Sequence, residues 1–423
     1  NVGLGDDALT ANTTGHSNTA TGYRSLVANT TGIENSGFGH SALETNTTGK
    51  ENTAVGNQTL EANTTGDYNT AIGRVALKTN TTADNNTAVG HSALKLNTTG
   101  HSNIAIGVQA LSTNVTGEQN TAIGYDALAT TTVSALVAVG KDALKLNTTG
   151  AANTGIGYKA LKANTTGANN TALGYETLAA NTTASNNTVV GMNAGDAITT
   201  GGTNAAFGAS ALGTNITGIE NTAIGAYSLA VHTVGATVGI GCQALNANTT
   251  GDHNTAVGYN SLLLNTTGAG NTAVGKQSLD ANTTADNNTS VGYLSLSANT
   301  TGSENVAIGY NALLANTTGA DNVAVGVNAL AASNGDLNTA VGRLAMFTNT
   351  TGGYNTAIGL GAMYLNTTAS QNTAVGYTAM RGNTTGTRNL AIGYQAYRNS
   401  DTENDNIAIG YQAMVTDTAG GTK

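Results

Sequence analysis

The sequence contains no proline and no tryptophan, a single cysteine, and few aromatic or charged residues. The lone Cys242 excludes a disulfide framework within the chain and any zinc site built from cysteines. Charged residues make up 9% of the chain, where soluble domains average about 25%, and aromatic residues make up 4%. These shortages argue against a conventional globule with a large core.

Long apolar runs and an excess of positive charge are also missing. No run of about 18 apolar residues occurs, so we expect no membrane insertion in this segment. The formal net charge is −9, which gives no electrostatic footprint for nucleic acid. Disorder is not expected either, because Ala, Leu, Ile and Val recur at fixed positions.

The chain is one repeat from end to end. We number the repeat from the Asn that opens each block, so Asn86 is position one of the block 86–102. The period is 17 residues and 25 blocks fit, although those that begin at Asn120, Asn221 and Asn322 are one residue shorter. We predict one elongated repeat domain over residues 1–423.

A second period lies within the first. The short blocks recur every 101 residues, so six blocks behave as a larger unit. This unit reflects either duplication history or a correction that supercoiling requires every six coils.

Glycine occupies position five in all 25 blocks, which indicates either a positive φ or no room for a Cβ atom. Position four is almost always Ile, Val, Leu or Phe, and position nine is Leu in 19 blocks and Met in four, so we expect both positions to be buried. The predicted turn glycines of the first eight blocks are Gly5, Gly22, Gly39, Gly56, Gly73, Gly90, Gly107 and Gly124.

These patterns predict an all-β fold, a parallel β-solenoid (β-roll) of 25 coils of 17 residues. We place one strand at positions two to five and a second near positions seven to ten, because β-branched residues and Asn-Thr-Thr-Gly turns disfavour helix. Stacking at about 4.8 Å per coil gives a rod roughly 120 Å long. The first strand is apolar or small on both faces, so we expect another chain to cover it, most simply in a homotrimer. A solitary narrow roll is the alternative.

The segments 305–313 and 406–414 read Asn-Val-Ala-Ile-Gly-Tyr-Asn-Ala-Leu and Asn-Ile-Ala-Ile-Gly-Tyr-Gln-Ala-Met. With them the array resembles the head repeats of trimeric autotransporter adhesins of the YadA-like group. It is also similar to NTAIGYxAL arrays of phage tail-fibre-like and bacterial surface proteins. The resemblance implies a left-handed β-roll, trimerisation and attachment at a surface. The longer period departs from that family, and the anchoring mechanism does not carry over.

Position 12 is Asn in 19 blocks, and position 14 is Thr in all 19, so each forms an Asn-x-Thr glycosylation acceptor. One hypothesis is a glycan ladder on an exported fibre, and the other is stacked Asx turns that form an Asn ladder. Coils about 4.8 Å apart leave little room for a sugar on each, which favours the turns. The possible glycosylation sites are Asn12, Asn29, Asn46, Asn63, Asn80, Asn97, Asn114, Asn147, Asn164, Asn181, Asn215, Asn248, Asn265, Asn282, Asn299, Asn316, Asn349, Asn366 and Asn383.

We predict no catalytic, metal-binding or cofactor-binding residues. The six His residues lie at variable positions in five blocks, without metal-ligand spacing. The Gly-rich turns lack the Lys followed by Ser or Thr of a phosphate loop. Tyr occupies position six in ten blocks, where it would pack at a corner or form a sugar-stacking stripe.

We therefore expect a non-catalytic structural fibre, the shaft or head of an adhesin, that is extracellular or lies at a cell or virion surface. Expected partners are further copies of the chain, in a homotrimer or an end-to-end filament, and a host-surface or glycan receptor. The alternative function is an ice-binding or carbohydrate-binding surface that uses the Asn/Thr ladder.

Overall fold

The computed structural model describes residues 1–399 and 401–415, and its contacts divide the chain into two units, Asn1–Ser210 and Ala211–Lys423. Each repeat contributes one three-residue β-strand, and no described residue is helical. Each unit is therefore a parallel β-solenoid with 17-residue coils, which confirms the predicted fold class. Residues 416–423 of the last predicted coil lie outside the described residues.

The first unit contains thirteen strands, and consecutive strands within it pair in parallel. Partners are usually 17 residues apart, as for Thr87 and Ile104, and 16 apart across the short coil. The strands are β1 (Val2–Leu4), β2 (Thr19–Thr21), β3 (Ser36–Phe38), β4 (Thr53–Val55), β5 (Thr70–Ile72), β6 (Thr87–Val89), β7 (Ile104–Ile106), β8 (Thr121–Ile123), β9 (Val137–Val139), β10 (Thr154–Ile156), β11 (Thr171–Leu173), β12 (Thr188–Val190) and β13 (Ala205–Phe207).

The second unit repeats this arrangement with twelve strands, again paired in parallel between consecutive coils. They are β14 (Thr222–Ile224), β15 (Val238–Ile240), β16 (Thr255–Val257), β17 (Thr272–Val274), β18 (Thr289–Val291), β19 (Val306–Ile308), β20 (Val323–Val325), β21 (Thr339–Val341), β22 (Thr356–Ile358), β23 (Thr373–Val375), β24 (Leu390–Ile392) and β25 (Ile407–Ile409).

Side chains alternate along each strand, and the small residue at position three faces inward. Ala105 is fully buried, whereas Ile106 at position four is 39% exposed. Successive strand residues point to opposite faces, so an inward position three forces positions two and four outward. The expectation that position four is buried is therefore wrong. The interior is built from position three, the Ala, Ser or Thr of position eight, and the Leu or Met of position nine.

The predicted second strand near positions seven to ten is also wrong, because turns replace it. Positions seven and nine take a left-handed backbone, with φ of 58° at Ser92 and 50° at Leu94. The N–H groups of positions seven and nine consequently point in opposite directions along the stack. The N–H of Ser92 donates to the preceding coil at Arg74 O (3.1 Å), and that of Leu94 donates to the following coil at Ala110 O (2.9 Å).

Glycine at position five has both a positive φ and no room for a Cβ atom, the two alternatives that the sequence indicated. In the eight predicted turn glycines φ lies between 129° and 139°. A Cβ atom on Gly90 would lie 2.5 Å from the carbonyl oxygen of Gly107 and 2.7 Å from its carbon. The backbones of neighbouring coils are thus too close at this bend for any side chain.

The short coils lack position 14. In the coil that begins at Asn120, Thr132 Oγ1 donates to Thr148 O of the next coil, as position 13 does elsewhere. The following residue, Val133, takes the role of position 15, because its carbonyl accepts a hydrogen bond from Asn120 Nδ2 (2.9 Å). The deletion therefore shortens the exposed turn and leaves the strand register intact.

We predict that Gly90→Ala destabilises the first unit by about 2–4 kcal/mol, because the residue has a positive φ and its new Cβ meets rigid backbone. Gly155→Ala is the matched control, since position three is Ala in most coils and the nearest atom there lies 3.2 Å away. Urea unfolding and local hydrogen exchange measure both variants. Equal stability of the two would contradict the proposed steric limit.

Candidate functional site

The Asn residues of position 12 form a hydrogen-bonded ladder inside the turn. Asn97 Nδ2 donates to Asn80 Oδ1 of the preceding coil (3.0 Å) and to Gly100 O of its own coil (2.9 Å). Its Oδ1 accepts from Asn114 Nδ2 of the following coil (3.0 Å). Of the 19 predicted acceptor residues, all except the half-buried Asn12 are fully buried.

A second Asn ladder, which the sequence analysis missed, runs along position one. Asn103 donates its backbone N–H to Asn86 Oδ1 (2.9 Å) and its Nδ2 to Gly117 O (2.9 Å). The same Gly117 carbonyl accepts from Asn114 Nδ2 (2.9 Å), so position 15 joins the two ladders. The available signal was the Asn at position one in 23 of the 25 blocks.

This geometry supports the Asn-ladder part of the hypothesis for the acceptor motifs, although Asn97 donates to the Gly100 carbonyl and does not accept from a turn N–H as in an Asx turn. A glycan needs an accessible Asn Nδ2, but Asn97 Nδ2 is buried and holds two hydrogen bonds. The Thr98 hydroxyl at position 13 is also used, because it donates to Val115 O of the next coil (3.2 Å). The position-14 residue, such as Thr99, is exposed, whereas the position-13 hydroxyl is bonded to the next coil, so an ice-binding or sugar-binding surface would have mainly position 14 to use. Glycosylation stays a prediction.

Each short coil replaces the Asn of position 12 with another residue that still accepts a hydrogen bond from the next coil. The substitutions therefore preserve the direction of the ladder. The acceptor and donor atoms are Thr131 Oγ1 with Asn147 Nδ2 (3.4 Å), His232 Nδ1 with Asn248 Nδ2 (2.9 Å), and Ser333 Oγ with Asn349 Nδ2 (3.0 Å).

His232 is the one titratable member of these three. Its side chain is fully buried, and burial lowers its pKa to about 4 because the charged imidazolium loses water, although the carboxylate of Asp252 opposes the shift. With Nδ1 accepting from Asn248, the proton of the neutral ring sits on Nε2. That atom has no hydrogen-bond partner among the described residues.

The outer face of the strands is uncharged along both units and combines apolar residues at position four with mainly Thr at position two. Positions two and four carry no charged residue in any block, and position two is mostly Thr or Val. We call this surface the outer strand face. Its exposed members at position four are Leu4, Phe38, Val55, Ile72, Ile106, Ile123, Ile156, Leu173 and Phe207 in the first unit and Ile224, Val274, Ile308, Ile358, Ile392 and Ile409 in the second.

The tyrosines of position six border this face and point into solvent. Tyr377, Tyr394 and Tyr411 are 44–75% exposed and stack on one another, with ring centroids 5.2 Å apart. The expected corner packing is therefore wrong for these rings. A continuous sugar platform is also excluded for the three, since neighbouring rings cover each other's faces.

No group of three or more His, Cys, Asp or Glu side chains in residues 1–399 and 401–415 is arranged to hold a metal ion. Over the same residues, no helix has the length and apolar character needed to span a membrane. No family model matches the chain, and no curated protein matches it in sequence. The outer strand face is the main candidate functional surface, because it exposes apolar side chains at position four of successive coils.

The ladder hypothesis predicts different outcomes for two variants that remove the same acceptor motif. Asn97→Ala breaks the ladder and leaves buried partners unpaired, so it should destabilise the first unit by about 1–3 kcal/mol. Thr99→Ala removes only an exposed hydroxyl and should leave stability unchanged. Urea unfolding compares them, while intact mass reports any glycan. Equal effects on stability would contradict the ladder, and a mass above that of the bare chain would establish glycosylation.

His232 predicts a loss of stability in acid. The unfolded chain binds the proton near pH 6.5 and the folded chain near pH 4, so stability falls as the pH drops through that window, by about 3 kcal/mol in total. His232→Asn restores the common residue of position 12 and should remove this loss. His253→Asn is the control, because that side chain is 71% exposed. Unfolding at pH 7 and pH 4 tests the three proteins, and identical acid sensitivity of all three would contradict the assignment.

Proposed function

We propose that this chain is a non-catalytic structural segment of an extracellular fibre, the shaft or head of an adhesin, and that it assembles through its outer strand face. The observation that carries the proposal is the uncharged outer strand face of each unit, which exposes apolar residues at position four of successive coils.

A mechanical role suits the way that the coils are joined. Backbone hydrogen bonds connect successive coils at the strands and at the turns, for example from Gly90 N–H to Ile72 O (2.8 Å) and from Thr87 N–H to Asn103 O (2.8 Å). The two Asn ladders add buried side-chain bonds at almost every coil. Stability in such an array comes from interfaces between neighbouring repeats, so a long stack resists local opening.

The extent of the outer strand face favours coverage by another chain. Thirteen strands at about 4.8 Å each give an apolar stripe of roughly 60 Å in the first unit alone. Monomeric soluble proteins rarely expose continuous apolar patches of more than a few hundred Å². A second copy of the same chain offers a matching surface with the same coil spacing.

The two borders of the outer strand face favour a ring over a two-fold dimer. Position six, after the strand, carries ten Tyr with two Lys and two Arg, whereas positions 16 and 17, before it, carry about half of the Asp and Glu residues. A two-fold dimer uses the same patch on both copies, but a cyclic ring brings different borders together. Three copies form the smallest such ring, so we propose a homotrimer.

Sedimentation tests this assembly directly. The intact chain of 42.0 kDa should sediment at about three times that mass. The double variant Ile106→Lys/Ile123→Lys places two charges on the outer strand face and should yield folded monomers. The control Leu96→Lys/Leu146→Lys changes two residues of similar exposure, 39% and 42%, at position 11, away from the face, and should remain trimeric.

Circular dichroism and hydrogen exchange verify that each variant is folded. A wild-type chain that sediments as a 42.0 kDa monomer contradicts assembly through this face. Long polymers that persist in Ile106→Lys/Ile123→Lys would instead support the end-to-end filament.

A further inference from the structure

The positive charges of this acidic protein are concentrated in one part of the first unit. Residues 74–162 contain seven of the 15 Lys and Arg residues, and all seven occupy positions six, seven or ten of their coils. We call this group the basic edge. It consists of Arg74, Lys78, Lys95, Lys141, Lys145, Lys159 and Lys162.

The carboxylates within the basic edge are largely covered by its own lysines. Lys145 Nζ lies 2.7 Å from Asp126 Oδ2 and 3.2 Å from Asp142 Oδ1, and the side chains of both Asp residues are only 10–11% exposed. The hydrogen bond to Asp126 is the main reason that the pKa of Lys145 is raised. Lys78 and Lys159 are paired in turn with Glu61 and Glu176 of the flanking coils, so three of the seven cations are already in ion pairs.

Four cations of the basic edge have no ion-pair partner within 4.0 Å among residues 1–399 and 401–415, namely Arg74, Lys95, Lys141 and Lys162. Lys141 lies between two aromatic rings, 5.7 Å from the centroid of Tyr125 and 5.9 Å from that of Tyr158. Tyr125 is 48% exposed. Cations thus line this corner in four of the six coils, and Tyr125 lies in one of the two coils between them that carry no Lys or Arg.

The opposite border of the same coils does not neutralise this charge. Positions 16 and 17 between residues 74 and 162 supply only Asp84 and Glu118. The proposed ring would bring this border of a neighbouring chain close to the basic edge, and the excess of positive charge would persist. Position ten also lies away from the outer strand face, so Lys95 and Lys162 stay accessible after assembly.

We propose that the basic edge binds a linear acidic polysaccharide along the axis of the first unit. The proposal rests on the adhesive role given above and names the chemical class of its receptor. Six coils span about 24 Å, enough for several sugar residues in contact. Six of the seven cations are Lys, which acts as a point charge and attracts carboxylate, sulfate and phosphate groups alike. The net charge of −9 disfavours nucleic acid, so we assign the edge to carboxylated or sulfated sugars.

The test measures binding of the intact chain to fluorescent heparin oligosaccharides and to polygalacturonate, with dextran as the neutral polymer. Lys95→Glu/Lys162→Glu reverses two unpaired charges and should weaken binding about tenfold, with a strong dependence on salt. Arg343→Glu/Arg381→Glu is the matched control, since it makes the same change in net charge at positions six and ten of other coils. We expect its affinity to stay within about twofold of wild type.

Three results would overturn the proposal. If the wild-type protein binds neither acidic polymer, the proposal is wrong. If both double variants lose the same amount of affinity, the binding is non-specific charge attraction. Single-stranded DNA that competes as effectively as heparin would assign the edge to nucleic acid instead. Sedimentation of the same samples keeps the two proposals apart, because a monomer that binds heparin contradicts the ring and supports the basic edge.

Discussion

Each coil must follow the backbone path of the coil before it, because the main chain of one coil supplies hydrogen-bond partners for the next. This constraint explains why residues at the bends vary so little. Gly90 has no room for a Cβ atom beside Gly107, and Asn97 must place its amide between those of Asn80 and Asn114. A side chain that fits one coil fits all of them, so the repeat in sequence follows from the repeat in space.

The sequence was sufficient to predict the parallel solenoid, because a 17-residue period with Gly at position five of every block permits few other structures. It was insufficient for the orientation of the strand. Ile106 was assigned to the interior because large apolar residues are usually buried, yet Ala105 faces inward. The narrow coil admits only a small side chain opposite the Leu of position nine, and a repeat of small and large apolar residues does not by itself reveal which faces the core.

The same limit applies to the candidate site. Asn-Thr-Thr is readable as an acceptor for sugars, but burial of Asn97 within a ladder is a property of the stacked turn. Leu94 shows how the turn escaped prediction, because a left-handed backbone is costly for leucine in general. Here the buried side chain and the hydrogen bond from its N–H to Ala110 hold the conformation. The outer strand face could not be predicted from the sequence, because it depends on position four lying on the outside of the coil.

The ladder of position 12 also has a direction. Within each unit the amide of a later coil donates to the amide of the earlier one, as Asn46 does to Asn29, and His232 and Ser333 continue the sequence as acceptors. The side-chain dipoles consequently align head to tail, and each bond polarises the next. A ribosome delivers the chain in this same order, so every newly made coil meets a finished template that already presents the oxygen it needs.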